Sequence, residues 1–82
     1  MQEQQIFEAM VNLLKPYTKD GTLLERANRD THILNDLKVN SARLVDVIIK
    51  CEDVFGITVD DDEADTIRTI GNAVDLIRAK LN

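Results

Sequence analysis

The sequence predicts an all-α fold, one small bundle of three main helices plus one short helix. Apolar residues recur at three- and four-residue intervals in three separate segments, as they do on helices with one buried face. No segment shows the strict apolar–polar alternation of a half-buried strand. Aromatic residues are limited to Phe7, Tyr17 and Phe55, so the core must be assembled from Leu, Ile, Val, Ala and Met. At 82 residues the chain is expected to be one domain, residues 1–82, with a modest core and little stability to spare.

The first helix is predicted over residues 3–15. Ile6, Met10, Leu13 and Leu14 form its stripe, Phe7 and Val11 widen it, and Pro16 ends it. A polar stretch from Pro16 to Asn40 follows, with Asp20-Gly21 as a turn signal. Loops this long are uncommon in compact domains and are usually functional or partly structured. Leu23, Leu24, Ile33, Leu34, Leu37 and Val39 give this one anchors. The second helix is predicted from Ser41 to Phe55, where Leu44, Val47, Ile48, Cys51 and Phe55 share one face and Gly56 supplies a left-handed stop. Val45 and Ile49 are apolar but lie off that stripe. Asp60 and Glu63 have capping-box spacing and open a short helix through Thr66, with Ala64 and Ile67 turned inward. Thr69 caps the last helix, whose buried stripe is Ile70, Ala73, Val74, Ile77 and Leu81. Arg78 and Lys80 suit the negative end of its dipole.

A net charge of −5 has the wrong sign for neutralising phosphates, which excludes nucleic acid and disfavours anionic lipid. It favours partners bearing basic patches. Cys51 is the single cysteine, so neither a disulfide framework nor a cysteine-based metal site is expected. The Asp60 to Asp65 run fails as a calcium loop, since its sixth position is Asp65 and its twelfth Gly71. His32, Ser41 and Asp30 or Asp36 lack the elbow motif and the room for a hydrolytic triad. Neither catalytic residues nor metal ligands are expected. The N-terminus lacks a signal-peptide pattern and no run approaches the ~20 apolar residues of a membrane span. A cytoplasmic, monomeric protein is expected.

The ordered set Leu37-Lys38-Val39-Asn40-Ser41-Ala42, Leu44-Val45-Asp46, Glu52-Asp53-Val54-Phe55-Gly56-Ile57 and Thr69-Ile70-Gly71-Asn72-Ala73-Val74 resembles the acyl carrier protein family. The resemblance runs from about Asp30 to the C-terminus; the first helix agrees in position only. It implies an acyl-carrier-like bundle in which Ser41 bears 4'-phosphopantetheine, attached covalently from coenzyme A by a phosphopantetheinyl transferase. It implies that the arm's thiol holds acyl groups for acyl-activating, acyl-transfer or synthase enzymes in fatty-acid, lipid or secondary-metabolite synthesis. Asn40, Asp46, Glu52 and Asp53 then fall where such partners read the second helix. The sequence departs from the family pattern at Asn40 for aspartate, Ala42 for leucine and Lys38 for glycine, and Arg43 and Lys50 add positive charge. These departures point to a specialised carrier.

Other readings accompany this one. Physically, a serine where a helix begins sits beside unpaired N–H groups that suit a phosphodiester, but it can also be a plain N-cap worth about 1 kcal/mol. Val45, Ile49 and the loop's apolar residues are either peripheral core or the lining of a cleft for an acyl chain, where each buried methylene gains ~0.8 kcal/mol. The chain as a whole can also be an aminoacyl or peptidyl carrier, or an unmodified acidic interaction module.

Overall fold

A computed structural model describes residues 2–81. Helix α1 spans Glu3–Leu14, α2 Leu44–Phe55, α3 Asp61–Ala64 and α4 Ile70–Leu81. Three short 3-10 turns lie at Lys15–Tyr17, Gly21–Arg26 and Ser41–Arg43. The three long helices and one short one lie in the expected segments, but α2 begins at Leu44 after a 3-10 turn at Ser41–Arg43 rather than at Ser41, and α3 ends at Ala64 short of Thr66. α1 packs against both α4 and α2.

The ends of the helices follow the expected local chemistry. α1 gives way to a 3-10 turn that takes in Pro16, because a proline cannot supply the next helical N–H. Gly56 ends α2 at φ 64°, a backbone that costs glycine nothing. Asp60 Oδ1 accepts from Glu63 N–H at 2.8 Å, and Glu63 Oε1 accepts from Asp60 N–H at 3.1 Å. Thr69 Oγ1 accepts from Asn72 N–H at 3.1 Å, and Asn72 Oδ1 returns the favour to Thr69 N–H at 3.0 Å. Each cap removes a donor that would otherwise lose its hydrogen bond.

The core differs from the periodic reading chiefly at α2, and at Leu81, which is half-buried at the end of α4. Ile6, Met10, Leu13 and Leu14 of α1 and Ile70, Ala73, Val74 and Ile77 of α4 are buried as expected. On α2 only Val47 and Cys51 are buried; Leu44, Ile48 and Phe55 are half-buried. The long loop supplies the difference, with Leu24, Ile33, Leu37 and Val39 all buried. The second helix is thus a cover laid over a core that the loop completes.

That loop is tied down by backbone. Ile33 N–H donates to Arg68 C=O at 3.0 Å, Ile70 N–H to Thr31 C=O at 3.0 Å, and Gly71 N–H to Arg29 C=O at 2.9 Å. His32 and Thr69 form an isolated antiparallel bridge between these bonds. The Arg29 guanidinium reaches Asp75 on α4 at 2.7 Å and also pairs with Glu3 on α1. Its hydrogen bond holds the Asp75 carboxyl below the usual range.

Gly71 makes this approach possible. A β-carbon there would stand 2.8 Å from the Arg29 carbonyl oxygen and 3.2 Å from Arg29 Cβ. Backbone cannot yield as a flexible side chain would. Gly71→Ala is therefore expected to lower stability by about 1–3 kcal/mol, as overpacking does, read from the denaturant midpoint. An unchanged midpoint would mean that loop and helix do not meet this closely.

Candidate functional site

Ser41 lies where the loop turns into the second helix. Val39 before it is 4% exposed and anchored in the core, while Asn40, Ser41, Ala42 and Arg43 are all exposed. Asn40 Oδ1 accepts from Ala42 N–H at 2.9 Å, and Asn40 C=O accepts from Arg43 N–H at 2.8 Å. The capping residue is thus Asn40, and Ser41 is the first residue of the turn. The reading of Ser41 as an N-cap is corrected on this point. Among the described residues the Ser41 hydroxyl makes no hydrogen bond with the protein. It is free for chemistry, and substituting Asn for Asp at position 40 keeps the capping oxygen while removing the charge.

Lys38, three residues upstream, has φ 57°. Left-handed backbone costs a non-glycine residue about 1–2 kcal/mol, a cost that glycine would not bear. The twist drops Leu37 and Val39 into the core on either side of an exposed Lys38.

The remaining candidate residues divide. Asp46 and Asp53 are exposed on α2. Asp46 is paired with Arg43 at 3.2 Å, and the Arg43 guanidinium stands 6.0 Å from the centre of the Tyr17 ring. Glu52 has a structural task that the sequence reading missed: its Oε2 accepts from Val59 N–H at 2.8 Å and pins the segment leading to α3. The signal was indirect, since the left-handed Gly56 folds the chain back along the end of α2.

Val45 and Ile49 fit neither sequence expectation. At 62% and 55% exposed they face solvent, so they are not peripheral core and they line no internal cleft. Ile49 instead joins Tyr17, Asp46, Lys50 and Asp53 around an outer groove of about 350 Å3.

Of the loop's apolar residues, Ile33 and Leu34 line an inner cleft. It holds about 210 Å3 between Ile33 and Leu34 of the loop, Leu44 of α2, and Ala64 and Ile67 by α3, with His32, Asp65 and Arg68 at its polar margin. His32 is occupied structurally, its Nδ1 accepting from Asn35 N–H at 3.2 Å. A larger hollow of about 450 Å3 lies between Glu3, Phe7, Arg29 and Val74 and includes no candidate residue. It owes its walls to the Arg29 clamp, whereas the inner cleft shares Leu44 with the helix that Ser41 leads into.

Cys51 offers no rival nucleophile. It is 5% exposed, 3.5 Å from Met10 Sδ, and burial together with the Glu52 charge pushes its thiol up to about 12. The thiolate is the reactive form. Among the described residues no group of three or more His, Cys, Asp or Glu is placed to hold a metal ion, and no helix is long and apolar enough to cross a membrane.

Comparisons with known proteins show the family and the fold. The family model described as a phosphopantetheine attachment site matches residues 21–77. An acyl carrier protein of Lactobacillus acidophilus is 36% identical over 81 residues, spanning 96% of each chain. One from Coprothermobacter proteolyticus is 31% identical over 81 residues, spanning 99% of this chain and 96% of its own. The solved structure of the Enterococcus faecalis acyl carrier protein shares the fold with a TM-score of 0.79, covering 98% of this chain and 99% of that one at 22% identity.

Replacing the strained residue tests the loop geometry. Lys38→Gly is expected to raise stability by about 0.5–1 kcal/mol, the relief of left-handed strain less glycine's extra unfolded entropy, read from the thermal midpoint. A clear loss of stability would contradict the assigned backbone.

Proposed function

The chain belongs to the acyl carrier protein family, with its phosphopantetheine attachment site, and from that premise we propose that Ser41 is the residue that bears the arm. The protein is a carrier whose prosthetic group is covalent 4'-phosphopantetheine, and its role requires transferase and synthase enzymes. Ser41 is supported by one observation above the others: its hydroxyl is exposed and uncommitted because Asn40 does the capping. When attached, the group supplies a flexible thiol that holds acyl cargo as a thioester.

The chain's own residues fit that group. Asn40 keeps the turn closed without drawing on the serine oxygen, and the exposed surface at residues 40–43 leaves a transferase room to approach. The cleft beneath Leu44, Ala64 and Ile67 suits the first carbons of a cargo. Its volume lies below the ~300 Å3 at which small-molecule pockets begin.

The outer face of α2 suits partner docking. Val45 and Ile49 supply apolar contact, and Asp46 and Asp53 supply charge for a basic patch. Asn40 belongs to this reading through the turn that it caps. Glu52 contributes charge at the edge while holding Val59. Lys50 and Arg43 interrupt the acidic surface, which favours a partner set of its own over the housekeeping fatty-acid one.

The chain is read as performing no catalysis itself and as acting as a monomer in the cytoplasm. The exposed large apolar residues are limited, among those described, to Val45, Ile49 and Val54, short of the near-continuous apolar area that an obligate dimer buries.

Intact-mass measurement after co-expression with a broad-specificity phosphopantetheinyl transferase tests the assignment. The wild type is expected to gain one phosphopantetheine and Ser41→Ala none, with the same far-ultraviolet dichroism. Modification that persists in Ser41→Ala would move the attachment elsewhere, and an unmodified wild type would remove it.

A further inference from the structure

The two sides of the inner cleft are held by unequal means. The loop side is fixed through backbone, with the bonds from Ile33 to Arg68 and from Ile70 to Thr31, both at 3.0 Å, closing around the His32–Thr69 bridge. The α3 side is different. Helix α3 is four residues long and contains no buried residue, and Ala64 and Ile67 are only partly buried where they face the cleft. Its capping box is internal to it.

The chain on either side of α3 is pinned, by Val59 N–H donating to Glu52 Oε2 at 2.8 Å before it and Ile33 N–H donating to Arg68 C=O at 3.0 Å after it. Among the described residues one ion pair ties the helix itself to the bundle: Lys80 Nζ of α4 donates to Glu63 Oε1 at 2.6 Å. It is also the most sheltered of the ion pairs, with side chains 27% and 29% exposed against 44% or more for the others. The same carboxylate oxygen accepts from Asp60 N–H, so the bond to Lys80 acts on the cap that starts α3.

A cargo longer than the resting cleft must displace one side. The backbone-paired loop resists; between its two pinned flanks the short α3 is held to α4 by one partly sheltered ion pair. We propose that the Glu63–Lys80 ion pair is a latch on α3 that sets how far the cleft opens, and so limits the length of acyl chain it shelters. The proposal rests on the reading of this cleft as the shelter for cargo. It assigns Glu63 and Lys80 a role in cargo length that neither residue's position on the surface suggests by itself. Lys80 does this from the last turn of α4, remote in sequence from Ser41.

The test uses the holo protein loaded with butanoyl, octanoyl or dodecanoyl groups. Two readouts are taken: amide shift changes at Leu34, Leu44, Ala64 and Ile67, and thioester half-life in hydroxylamine. In the wild type, shift changes and protection should grow from butanoyl to octanoyl and stop growing at dodecanoyl. Lys80→Met keeps the stem and removes the charge, and Glu63→Gln keeps a cap acceptor that also serves in capping boxes. Both should lengthen the dodecanoyl half-life about three- to fivefold, the scale of one partly screened ion pair, leaving butanoyl unchanged. Lys80→Arg should restore the wild-type limit. If the cleft amides respond in the wild type but the variants keep its chain-length profile, the latch is overturned and the shelter stands. If no chain moves those amides, shelter and latch fall together.

Discussion

Arg29 and Gly71 meet backbone to backbone, and the rest of the molecule is arranged around that contact. The chain between α1 and α2 is too long to hold itself, and ordering each of its residues costs about 1–2 kcal/mol of backbone entropy. The contact at Gly71, where a β-carbon would lie 2.8 Å from the Arg29 oxygen, lets the loop run flush against the start of α4. Once seated there, residues 31–33 pair with 68–70, Ile33 and Leu37 fall into the core, and the direction in which the chain reaches Ser41 is fixed. The exposed Arg29 side chain then spans Glu3 and Asp75, a contribution that is modest pair by pair but joins the loop to both α1 and α4.

From this anchoring follows the division of labour at the site. Leu37 and Val39 hold the approach from inside, Lys38 accepts a left-handed backbone between them, and Asn40 closes the turn with its own side chain. Ser41 is left with position and no structural duty. If Ser41 is the residue that bears the arm, as proposed, its hydroxyl is taken without undoing a cap, because Asn40 does the capping. The buried Cys51 thiol, pushed up to about 12, leaves the thiol of the attached arm without competition from the chain.

The helices were legible because their signals are local and periodic. Spacing along Ile6, Met10, Leu13 and Leu14, the proline after them, the glycine at 56 and the caps at Asp60 and Thr69 all act within a few residues. Ser41 stood out only through a resemblance, since serine at a helix start is ordinarily a cap, and its assignment remains a proposal. What the sequence hid depends on distance. The Arg29–Gly71 contact and the 31–33 to 68–70 pairing join segments some forty residues apart and leave no periodic trace. The half-burial of Leu44, Ile48 and Phe55 has the same origin, because core space that a lone helix would fill is taken by loop residues. Val45 and Ile49 were ambiguous for a different reason: apolar type reports a preference for burial, and it does not say which apolar residues a fold leaves exposed.

Native-state hydrogen exchange measures the anchoring itself. The amides of Ile33, Ile70 and Gly71, which bond across from loop to helix, should exchange only through openings close to global unfolding, while the amide of Ser41 should exchange with the surface. Protection of Ile33 and Gly71 no greater than that of Ser41 would mean that the loop is not held by these bonds, and the account of how the serine is presented would be wrong.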